Sequence, residues 1–127
     1  PMLGLGLGMF GGAVAVQHKV YSWMSYFYMD NYYLKILTEM GYVGFAFFIA
    51  LMACLVLIGL RAVYRTKKSD GGNMSPLCAG MFAGLCGVLV HCYFENIFEE
   101  PYMMAYFWII AALIVYLGFF RKPAKAK

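Results

Sequence analysis

Asp30, Asn31, Lys35 and Glu39 put two carboxylates, an amide and an amine within ten residues of an otherwise apolar chain. Asp30 is a candidate general base, if partial burial raises its affinity for a proton. Asn31 and Lys35 stand one helical turn apart and together can hold an oxygen-rich ligand. Ionisable residues pressed against a membrane face are costly and therefore often functional. The alternative is local helix chemistry. Asp30 would then sit at a helix N-terminus, and Lys35 and Glu39 would form an i,i+4 ion pair.

A second polar group is Glu95-Asn96, followed by Glu99, Glu100 and Pro101. Glu95 and Asn96 lie nearest the apolar stretch before them and can line the same cavity as Asp30. The others read as solvated carboxylates in a turn. His18 and His91 read as satisfied hydrogen-bonding histidines rather than ligands. Cys54, Cys78, Cys86 and Cys92 lie in apolar stretches without a C-x-x-C pair. They read as small buried hydrophobes, and no metal site or cofactor is expected. Gly6-x-Gly8-x-x-Gly11 matches a dinucleotide fingerprint literally, but that chemistry needs a preceding strand and only five residues precede Gly6. A closely packed glycine-rich turn is the expectation.

The elements that hold these residues are set by composition. Of 127 residues, 64% are hydrophobic and 13% charged, about half the usual charged share of roughly 25%. Six acids and ten bases cannot coat a water-soluble domain. The expected class is an all-α, polytopic membrane protein. A secreted disulfide scaffold, a disordered tail and a free-standing nucleotide-binding domain are excluded. The opening at Pro1, without a signal-peptide pattern, predicts a piece of a longer protein.

Three apolar runs predict three transmembrane helices: Val43 to Leu60, Pro76 to Phe94 and Tyr102 to Phe120. Arg61, Arg65, Lys67 and Lys68 follow the first, and Arg121, Lys122, Lys125 and Lys127 follow the third. Eight of the ten bases thus fall on one side, read as cytoplasmic. Residues 61–75 become a cytoplasmic loop and residues 121–127 a basic cytoplasmic tail; the bases answer to topology, not to nucleic acid. Residues 1–42 form an outward-facing, amphipathic, aromatic-rich segment, with Tyr21, Trp23, Tyr26, Phe27, Tyr28, Tyr32 and Tyr33 at the headgroup level. Within it, Leu34, Leu37 and Met40 predict a short helix ended by Gly41. Gly80-x-x-x-Gly84, then Gly87, predict a face where another helix packs closely, within this chain or beyond it.

Asn31, nine residues, then Gly41-Tyr-Val-Gly44 resembles the outer-loop signature of the O-antigen ligase and O-antigen polymerase superfamily. The opening Pro-x-x-Gly-x-Gly-x-Gly-x-Phe is similar to the glycine-rich stretch upstream of that signature. Asn-Ile-Phe-Glu-Glu-Pro, the aromatic-led final helix and the basic tail resemble the family's C-terminus. The resemblance covers nearly all of this chain and the C-terminal third of a usual member. It implies metal-independent transfer of an oligosaccharide from a polyprenyl diphosphate to a sugar hydroxyl, at the outer face of the bacterial cell membrane. It matches Asn31, Gly41 and Gly44 to the family's motif positions; the residues themselves make Asp30 the candidate base, Asn31 its orienter, and Lys35, Glu39, Glu95 and Asn96 the candidate substrate contacts. One departure counts: the family's ligases carry His where this chain has Asp30, which favours the polymerase branches or an inactive homologue. The family's diphosphate-binding arginines lie upstream and are absent here. The partners implied are the lipid-linked oligosaccharide, membrane lipid and the remaining helices of a longer chain. The alternative class is a non-enzymatic helical membrane subunit or transporter fragment.

Overall fold

A computed structural model describes residues 2–11, 30–69 and 74–121. Three helices run in order: α1 (Tyr32–Ser69), α2 (Ser75–His91) and α3 (Pro101–Val115). A 3₁₀ turn (Ile97–Glu99) precedes α3 and a π-helical turn (Tyr116–Phe120) follows it. Among the described residues there is no strand, so the expected all-α class holds. His18, the aromatic cluster at 21–28, the Gly71-Gly72 turn and the tail lysines lie outside the described residues.

Two helical stretches, Tyr32–Lys68 and Pro101–Phe120, are long and apolar enough to cross a membrane. Only 11% and 17% of their most apolar windows are buried within the chain, whereas the core helix of a water-soluble protein would be mostly covered. Phe47, Leu51, Leu57, Tyr64 and Ile109 are all exposed. These open apolar faces make the two stretches candidate membrane spans. The remaining apolar helix, α2, has 17 residues, about 26 Å of rise, and stops at His91 rather than Phe94.

Two boundaries differ from the sequence expectation. Helix α1 continues beyond Leu60 to Ser69, so the bases 61–68 ride on a helical extension. Arg, Ala and Lys are good helix formers, and no Gly or Pro intervenes until Gly71. At the other end α1 begins at Tyr32 and is broken at Gly41, whose backbone (φ 70°, ψ −173°) is not helical. That region of backbone space belongs essentially to glycine. The short helix ended by Gly41 is thus present, bent away from the apolar run that follows.

The small-residue face of α2 does not pack as expected. A Cβ added at Gly80, Gly84 or Gly87 would meet nothing within 4 Å, so that face is open among the described residues. The close approaches are elsewhere. A Cβ at Gly59 of α1 would collide with the Phe82 ring of α2, and one at Gly118 would collide with Ala62. Ala62 is fully buried. Sequence spacing marks small residues but not which of them lies between helices.

The core runs along the three-helix axis through Met52, Cys78, Leu85, Ala111 and Ile114. At the end where α1 begins it becomes aromatic. Tyr32 meets Phe98 edge-on at 5.3 Å between centroids, and Phe98 meets Phe107 at 4.8 Å. Such edge-to-face contacts add to the area they bury. They tie the start of α1, the 3₁₀ turn and α3 into one layer.

Candidate functional site

The break at Gly41 ends the first α1 segment early, which would orphan its last carbonyls. The glycine-rich opening supplies their donors. The Leu5 amide donates to the Thr38 carbonyl at 3.0 Å, and the Gly6 amide to the Glu39 carbonyl at 2.9 Å. Only glycines allow this approach. Gly4, at φ 70°, has no room for a Cβ against the Glu39 carbonyl, and Gly41 none against the Met2 carbonyl. Gly6, Gly8 and Gly11 also have positive φ, so the fingerprint-like spacing serves a docking loop. Gly44 lies one turn on, where a Cβ would stand 2.5 Å from that of Met40.

Asn31 caps the helix: its Oδ1 accepts from the Leu34 amide at 3.0 Å. That is the cap the sequence offered to Asp30; Asp30 itself is exposed one residue earlier. The Tyr32 amide donates to the Cys92 carbonyl at 2.9 Å, and the Tyr33 hydroxyl to the Leu89 carbonyl at 2.5 Å. The start of α1 therefore satisfies the carbonyl end of α2.

Lys35 and Glu39 are both buried but not paired with each other. The Lys35 ammonium forms an ion pair with Glu99, sixty-four residues away. A Glu39 carboxylate oxygen accepts from the Phe10 amide at 3.3 Å. The i,i+4 alternative is thus replaced by two long-range contacts, one to the turn before α3 and one to the glycine-rich loop. Lone burial of either charge would be costly, and pairing offsets it.

The turn after α2 holds the second polar group. A cleft of about 340 Å³ is lined by His91, Glu95, Asn96, Ile97, Glu99, Glu100 and Met103. Asn96 is buried, and the His91 Nε2 stands 3.1 Å from the Glu95 Oε2. The expectation that Glu95 and Asn96 share a cavity with Asp30 is met only for the first two, since Asp30 is not in the lining. His91, read as a hydrogen-bonding histidine, has Glu95 as its partner. Lys35 reaches the cleft wall only through Glu99, and Glu39 faces the loop. Cys78 and Cys92 are buried, as small hydrophobes are expected to be, but Cys86 is half-buried and Cys54 is exposed. Burial pushes the Cys92 thiol up to about 11. Among the described residues no His, Cys, Asp and Glu cluster fits a metal ion.

The arrangement offers acceptors and one imidazole to a hydroxyl-rich ligand beside an apolar bundle. No protein family, curated protein or solved structure matches the chain.

Proposed function

We propose that the chain is the C-terminal part of a bacterial membrane polysaccharide polymerase or ligase. It transfers an oligosaccharide from a polyprenyl diphosphate to a sugar hydroxyl at the outer face of the cell membrane. In this reading α2 is the middle of three crossing helices; its 17 residues meet the lower limit of about 17 for a span. The C-terminus is cytoplasmic, following the eight bases that flank the inner ends.

One observation carries the reading. The two glycine motifs behind the family resemblance form one unit: Gly4 and Gly41, 37 residues apart in sequence, abut backbone to backbone. Their junction supports reading them as parts of one signature. The joined unit holds the outer helix over the polar cleft, with Lys35 and Glu99 as the clasp. Leaving-group stabilisation falls to residues upstream of this chain.

The test is purified full-length protein given a polyprenyl-diphosphate-linked oligosaccharide. Lengthened glycan with stoichiometric release of polyprenyl diphosphate is the expected result. No release under conditions where the protein is folded contradicts the reading and favours a non-enzymatic membrane module.

A further inference from the structure

The geometry points to His91, oriented by Glu95, as the group that takes the acceptor hydroxyl's proton, in place of Asp30. The inference rests on the glycosyl-transfer reading above. Asp30 is exposed and stands outside the cleft lining, next to an Asn31 whose side-chain oxygen is spent on capping. Lys35 is spent on Glu99 and Glu39 on the Phe10 amide. His91 and Glu95 remain, both lining the cleft and both more than half exposed to it and to solvent, at 55% and 61%.

Their register is fixed by the backbone. His91 is the last residue of α2, and the Glu95 amide donates to the His91 carbonyl at 3.0 Å. The Glu95 carboxylate accepts from His91 Nε2, which sets the proton on that nitrogen and leaves Nδ1 as a proton acceptor. A carboxylate that holds an imidazole in one tautomer is a recurrent way to prepare a base. The other ionisable groups of the cleft are Glu99, held by Lys35, and Glu100.

The step balances as follows. The acceptor hydroxyl gives its proton to His91 Nδ1 while its oxygen bonds to the anomeric carbon of the lipid-linked sugar. The bond from that carbon to the diphosphate oxygen breaks, and its electron pair leaves with the polyprenyl diphosphate. The imidazolium then returns its proton to water.

The experiment compares full-length wild type, His91→Gln, Glu95→Gln and Asp30→Asn on polyprenyl-diphosphate-linked oligosaccharide, measuring kcat, KM and pH–rate profiles. His91→Gln lowers kcat by about 10²–10⁴-fold, with KM little changed, and removes the acid limb of the profile. Glu95→Gln lowers kcat less and displaces that limb. Both side chains are exposed, so both variants fold. Wild-type kcat in His91→Gln, a slow His91→Gln that keeps the acid limb, or loss of the limb in Asp30→Asn instead overturns the inference while leaving the transfer reading intact. A wild type that releases no polyprenyl diphosphate overturns both.

Discussion

Lys35 and Glu99 show what single residues do in the polar layer where α1 begins. Their side chains are 6% and 11% exposed, so each shields the other from an apolar surrounding. Removing one partner leaves a buried charge, at a cost of about 3–5 kcal/mol. Lys35→Met alone is therefore expected to lower the unfolding temperature of the detergent-purified protein sharply, while Lys35→Met with Glu99→Leu recovers most of the loss. Equal melting of single and double variants would deny that the pair is buried. Gly41 makes a second residue-scale case. Gly41→Ala forces a side chain into glycine-only backbone space at about 1–3 kcal/mol and meets the Met2 carbonyl. Gly80→Ala, with open space around it, is expected to be neutral or slightly stabilising by removing backbone entropy. Cys92 carries a prediction about protonation. Its thiol is held up to about 11, so the reactive thiolate is scarce across the neutral range. A water-soluble maleimide at neutral pH is expected to leave Cys92 unlabelled until the protein is unfolded.

At the scale of elements, the helices were legible and their contacts were not. Apolar runs placed α1, α2 and α3, and Gly41 marked the break, because each depends on local sequence. Which glycines lie between helices depends on the rotation of each helix about its axis, which no spacing within one helix reveals. Gly59 and Gly118 carry the close approaches, while Gly80, Gly84 and Gly87 face away. Gly59→Leu is accordingly expected to disrupt the folded bundle far more than Gly84→Leu, judged by detergent extraction and thermal unfolding of the chain. The reverse order would mean the helix faces are misassigned. The site was partly legible for the same reason. A helix start beside Asp30 and the adjacency of Glu95 with Asn96 follow from neighbours in sequence, although the cap falls to Asn31 rather than Asp30. The partners of Lys35, Glu39 and His91 do not: two reach across to other elements, and the third waits on where α2 ends.

The whole molecule is an apolar bundle with a polar layer at one end and bases at the other. The layer is built from three distant stretches: the glycine-rich opening, the first turns of α1 and the turn after α2. Family resemblance named two of those stretches without giving a reason for them to meet. Backbone hydrogen bonding supplies it, since the break at Gly41 needs donors that the opening provides. In the proposed function glycan transfer takes place at this polar end, on the outer face. It is tested with full-length, cysteine-free protein in sealed, uniformly oriented vesicles, carrying either Phe94→Cys, at an exposed position outside the cleft lining, or Lys67→Cys. An impermeant maleimide is expected to label position 94 from the side on which lengthened glycan accumulates, and position 67 only from the other. Labelling of position 94 from the side opposite the polymer overturns the proposal.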